Sequence, residues 1–79
     1  MKILAIDDDV KILDFIAQAL DEHELVLLED PRLAVVHLNE GVVFDLVLCD
    51  IKFPETTGFE FLKVLRDMEN SPPVVLITG

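Results

Sequence analysis

The 79-residue sequence has no tryptophan, no tyrosine, a single cysteine and only six basic side chains. Each scarcity excludes something. With five phenylalanines as the only aromatic residues, the core must be mostly aliphatic. Six basic residues against sixteen acidic ones leave a net charge of -10. That field repels nucleic acid and anionic membrane surfaces and attracts cations or basic partners, so direct nucleic-acid binding by this segment is not expected. One cysteine, Cys49, permits no internal disulfide and fits a reducing, cytoplasmic setting. Apolar runs reach only a few residues, far below the ~20 needed to cross a bilayer. The N-terminus carries one lysine and meets Asp7-Asp8-Asp9 almost at once, unlike a signal peptide.

What is present is hydrophobic and strongly patterned. Apolar residues make up 52% of the chain, which argues against disorder. The length allows one domain, in which folding buries about 60–65% of the extended surface. Residues 2–6 form an apolar run that stops at the Asp triplet and reads as a buried strand. Asp8 or Asp9 can cap the helix that follows. In that helix Ile12, Leu13, Ile16, Ala17, Ala19 and Leu20 make a broad apolar face. Residues 25–28 read as a second strand. Asp30-Pro31 is an N-cap with proline at the first helical position, and Gly41 closes the helix of residues 31–40. Residues 44–49 are a third strand ending at Asp50. Pro54 interrupts the stretch that follows. Gly58 opens a third helix with Phe61, Val64, Leu65 and Met68 on one face, and residues 74–77 form a fourth strand. The order βαβαβαβ, with nearly continuous apolar strands, predicts an α/β fold: a doubly wound parallel sheet covered by helices on both faces, strand order 2-1-3-4.

That topology has a chemical consequence. Parallel strands present their C-terminal ends on one edge, and the first and third strands are neighbours about 5 Å apart. Asp7 and Asp8 therefore meet Asp50 in the crevice where open α/β sheets bind ligands. Crowded carboxylates repel unless a proton or a cation relieves them. Short, fixed oxygen ligands suit Mg²⁺. A rigid carboxylate beside such a cation can attack phosphorus, although simple metal binding or hydrolysis fits the same three groups. Thr78 ends the fourth strand on this edge, where its hydroxyl could donate to a phosphoryl oxygen on Asp50.

Three ordered segments carry a family resemblance. KILAIDDD, LVLCDIKFPETTGFEFLKVLR and PPVVLITG resemble the first strand with its acidic pair, the phosphoacceptor stretch, and the fourth strand with its hydroxyl residue in the receiver domains of two-component response regulators (CheY-like, within the flavodoxin-like folds). The resemblance implies that residues 1–79 form a partial receiver domain. It implies that Asp50 accepts a phosphoryl group from the phosphohistidine of a sensor histidine kinase or phosphotransfer protein. By the same resemblance Asp8 is a direct Mg²⁺ ligand, Asp7 acts largely through water, and Lys52 contributes its backbone carbonyl. Thr78 is the switch hydroxyl, and Pro54 and Gly58 shape the loop after the acceptor. Such a module is a signalling domain rather than an enzyme.

The sequence also departs from the family. It ends at Gly79, where the family continues with a fourth helix, a fifth strand bearing an aromatic switch residue, a lysine after that strand, and a fifth helix. The expected fold lacks these elements, so the fourth strand becomes an apolar edge and part of the face of the first helix is uncovered. The expectation is a homo-oligomer that covers this surface, or a marginal monomer. Two alternatives stand beside the phosphoacceptor reading: a degenerate receiver that acts by binding a partner, and a fragment of a Mg²⁺-dependent, phosphatase-like hydrolase.

Overall fold

In the computed structural model, which describes residues 1–54, 56–69 and 71–77, the elements run β1 (Lys2–Ile6), α1 (Val10–Ala19), β2 (Glu24–Leu28), α2 (Pro31–Asn39), β3 (Leu46–Asp50), α3 (Gly58–Arg66) and β4 (Val74–Ile77). The strands form one sheet in the order β2-β1-β3-β4, and every pairing is parallel. The predicted α/β class and strand order are what the chain adopts.

Local chemistry sets the helix boundaries. Asp9, not Asp8, caps α1: its carboxylate accepts from the Lys11 N–H at 2.9 Å, which leaves Asp8 outside the cap. Asp30 caps α2 through the Arg32 N–H, with Pro31 at the first position. At the far end of α2, Gly41 takes φ +87°. Its N–H donates to Leu38 O and that of Val42 to His37 O, the paired bonds that close a helix through a left-handed residue. Thr57 caps α3 through the Glu60 N–H.

The core divides between the two faces of the sheet. On one face Leu4, Ile6, Val47 and Cys49 pack with Ala34 of α2 and with Phe61 and Leu65 of α3. On the other, Ala5 packs with Leu13 and Ile16 of α1, with Leu20, Leu27, Leu48 and Ile77 half-buried around them. Helices thus lie on both faces, as a parallel sheet with apolar strands requires.

Three expectations are corrected. Phe44 is buried, but β3 begins only at Leu46; just before it Asp45 is tied to β1 twice, its N–H donating to Lys2 O at 2.8 Å and its carboxylate accepting from the Lys2 N–H at 2.7 Å. Ile12 and Ala19, on the apolar face expected of α1, are exposed, since the face of a ten-residue helix that meets the sheet is narrower than its apolar stripe, and Leu13 and Ile16 fill it. Val64 is likewise exposed while Phe61 and Leu65 are buried. No helix among the described residues is long and apolar enough to cross a membrane.

Candidate functional site

The site begins where β1 runs out. The N–H of Asp7 still donates to Leu28 O of β2 at 3.1 Å, so the backbone of Asp7 remains tied to the sheet although the apolar run has ended. Its carboxylate is 5% exposed, and Asp7 is the one buried charged residue among those described. Oδ1 accepts from the Asp9 N–H at 2.9 Å. Burial pushes the carboxyl above its ordinary range. The Asp9 hydrogen bond opposes that shift, and the charges of Asp50, Asp8 and Asp9 add to it. This is what like charges in a partly desolvated crevice should do.

Asp50 is the last residue of β3 and pairs with Ile77 of β4. Its Oδ1 accepts from the Ile51 N–H at 2.7 Å, which fixes the carboxylate on its own backbone. Cys49 points to the opposite face and is fully buried, as alternation along a strand dictates. Burial, then the charges of Asp50 and Asp7, push its thiol up to about 12. At that value it stays protonated and unreactive at neutral pH.

Asp7, Asp8 and Asp50 converge as the sequence predicts. One carboxylate oxygen of each lies within 4.8 Å of those of the other two. Around them is a cleft of about 370 Å³ whose lining also includes Asp9, Lys52, Ile12 and Ile77. Three oxygen donors at this spacing, one of them from a carboxyl already destabilised by its neighbours' charge, match the hard-ligand preference of a divalent cation such as Mg²⁺. The donor set therefore fits the metal that the sequence implied. Lys52 sits on the cleft with an exposed side chain. The position of Thr78 lies outside the described residues. Ile12, on the apolar stripe of α1, forms part of the cleft wall.

One feature of the site had only a faint sequence signal. The loop after Asp50 closes on itself: Lys52 bridges Thr57 in antiparallel fashion, and the Phe53 N–H donates to Thr56 O. The Gly58 N–H donates to Ile51 O at 2.6 Å, which brings the start of α3 against the backbone at the end of β3. A glycine at the first position of a helix was the signal available.

A doubly wound parallel sheet with three carboxylates at its topological switch point defines the class of receiver-like α/β domains. The comparisons narrow it. A family model described as the response regulator receiver domain matches residues 3–79, and the chain belongs to that family, the receiver domains of two-component systems. It is 34% identical over its whole length to the probable transcriptional regulatory protein SilR of Salmonella typhimurium and covers 35% of that protein. It is 37% identical to the transcriptional regulatory protein FlgR of Helicobacter pylori and covers 20% of it. The chain thus spans about a third or less of these relatives. Among solved structures, it superposes on the chemotaxis response regulator CheY4 of Vibrio cholerae with a TM-score of 0.82 at 29% identity, covering 95% of this chain and 65% of that one. With the response regulator TrrA of Thermotoga maritima, solved in complex with Mg(2+)-BeF, the TM-score is 0.87 at 26% identity, covering 98% of this chain and 68% of that one.

Proposed function

We propose that this chain is the phosphoacceptor module of a two-component phosphorelay, with Asp50 as the acceptor. The observation that carries the reading is the convergence of Asp7, Asp8 and Asp50 within 4.8 Å at one sheet edge. The Mg(2+)-BeF complex of the similar TrrA supports the same chemistry here. The donor is a phosphohistidine on a sensor histidine kinase or phosphotransfer protein. A carboxylate oxygen of Asp50 attacks phosphorus, the phosphorus–nitrogen bond breaks, and the imidazole leaves with the electron pair and takes up a proton. Asp7, Asp8, Asp50 and the backbone carbonyl of Lys52 would hold Mg²⁺, which would supply positive charge against the carboxylates and the phosphoryl group. The Ile51 N–H orients the attacking carboxylate, and Asp7 keeps its own orientation through the Asp9 N–H. Thr78 supplies the hydroxyl that senses the phosphoryl group. The module transfers signal rather than turning over a substrate, and it works in the cytoplasm.

A second reading concerns association, and a specific observation favours it. Val75 on the outer strand β4 is 50% exposed, and Leu48 and Ile77, which pack at the rim of the α1-side core, are only half-buried. Apolar side chains left open on an outer strand favour burial against another chain, and a homo-oligomer would cover them. Light scattering after size exclusion tests this, and a stable monomer at micromolar concentration contradicts it.

The phosphoacceptor reading is tested by incubating the chain with a small phosphodonor and Mg²⁺ and measuring intact mass. The expected result is the gain of one phosphoryl group, lost when Mg²⁺ is chelated and absent in Asp50→Asn. No gain with any donor contradicts the reading, and steady release of phosphate without an adduct replaces it with the hydrolase alternative.

A further inference from the structure

Two glycines in this chain are required for opposite reasons. Gly41 sits at φ +87° with open space where a Cβ would go, so only its backbone conformation asks for glycine. Gly58 has no such φ, but a Cβ there would overlap the carbonyl oxygen of Asp50 and stand 3.1 Å from Ile51 Cα. Backbone atoms at the paired end of a strand cannot yield as a flexible side chain does. Asp50 is held on one side by β4 through Ile77, while the preceding residue, Cys49, pairs with Ile6 of β1. The Gly58 N–H reaches Ile51 O only because the two backbones touch.

We propose that Gly58 is a positioning residue for Asp50: by lacking a side chain it lets the start of α3 seat directly on the Asp50–Ile51 peptide, which fixes where the Asp50 carboxylate projects into the cleft. The link is short. The peptide that Gly58 presses on contains the same Ile51 N–H that holds Asp50 Oδ1 at 2.7 Å. A side chain at position 58 must push that peptide or lift α3 away, and either movement turns the N–H and the carboxylate it orients. Groups that aim a metal ligand without touching the metal commonly change its affinity by about 10–100-fold when altered.

The inference rests on the ion site of the proposed function, and its test needs no phosphoryl transfer. Mn²⁺ binding is measured by calorimetry on the folded wild-type chain, Gly58→Ala and Gly41→Ala. The expected result is that Gly58→Ala binds Mn²⁺ about tenfold more weakly than wild type, while Gly41→Ala, strained at its backbone and remote from Asp50, loses stability but keeps wild-type affinity. Wild-type affinity in Gly58→Ala, or an equal loss in Gly41→Ala, overturns it. Should Gly58→Ala not fold, ¹⁵N-glycine labelling of the wild type decides. During Mg²⁺ titration the Gly58 amide resonance should move with ion occupancy while that of Gly41 stays fixed, and an unmoved Gly58 resonance overturns the inference. A chain that binds Mn²⁺ and shows the Gly58 effect but takes no phosphoryl group refutes the proposed function and leaves this inference standing.

Discussion

At the N-terminal end of the sheet, charge is answered by charge. Lys2 Nζ lies 3.2 Å from Glu24 Oε2 and 5.6 Å from the centre of the Phe44 ring, and the Lys2 N–H donates to Asp45 Oδ2. At the C-terminal end of the same strands, Asp7, Asp8 and Asp50 crowd together, and Lys52 at the cleft wall is exposed. Both ends are built on one core, so the difference does not come from the fold. A sheet edge that serves only the fold can neutralise itself at the surface, as the first does. An edge that leaves like charges facing one another raises the free energy of the empty site and offers it to a cation, which is what a binding site requires.

The largest expected break between the two edges lies in cation affinity. Asp8→Asn removes a charge from the crowded edge and should weaken Mg²⁺ binding at least tenfold, about 1.4 kcal/mol. Asp45→Asn removes an equal charge from the other edge and should leave affinity unchanged. Calorimetric titration of the two variants measures this. Equal losses would mean that the net charge of the chain, not the site, draws the ion.

Stability should separate the edges next, with opposite signs. Asp45→Ala deletes the acceptor of the Lys2 N–H and should cost about 0.5–1.5 kcal/mol in urea unfolding. Asp7→Asn keeps an oxygen for the Asp9 N–H but removes the repelled charge, so in metal-free buffer it should stabilise the chain. Loss of stability in Asp7→Asn would show that its charge was already compensated.

The smallest effect is in pH dependence. The Asp7 carboxyl is raised above its unfolded value of 3.8, so the folded chain holds this proton more tightly than the unfolded chain. Its contribution to stability is full below 3.8 and is lost as pH rises through the raised folded value. Asp30 is the reverse. The Arg32 guanidinium and N–H hold it below its usual value, so its contribution is present above 3.8 and falls away at lower pH. Metal-free Asp7→Asn should therefore lack the loss of stability on raising pH that wild type shows above 3.8, as thermal melts across that window would reveal. Saturating Mg²⁺ should reduce the same loss in wild type.

How far the sequence anticipated these edges follows from what kind of signal each carries. The convergence of Asp7, Asp8 and Asp50 was legible because two apolar strands stop abruptly at acidic residues, and a parallel sheet has only one edge on which those stops can meet. The parallel pairing was legible because helical patterns separate every pair of strands, and the order 2-1-3-4 followed from taking the sheet as doubly wound, with helices on both faces. Ile12 and Val64 lie on the expected apolar stripes yet are exposed, because helical periodicity identifies a stripe but not how much of it the sheet can cover. The start of β3 falls later than the apolar run suggests because Phe44 extends that run, while the pairing of Asp45 with Lys2 is a contact between residues 43 positions apart. Asp9 rather than Asp8 became the cap through a difference of one residue, which alternation cannot resolve. The approach of Gly58 to Asp50 depends on how a loop folds back, and no local pattern encodes that distance.

The most direct measurement is spatial. Trace Mn²⁺ added to the ¹⁵N-labelled chain broadens amide resonances near the place where it binds. The account predicts selective broadening at Asp8, Asp50 and Ile51, relieved by excess Mg²⁺, with Glu24 and Asp45 unaffected at the same concentration. Broadening spread evenly over both sheet edges would contradict it, and would reduce the acidic cluster to one part of a diffusely negative surface.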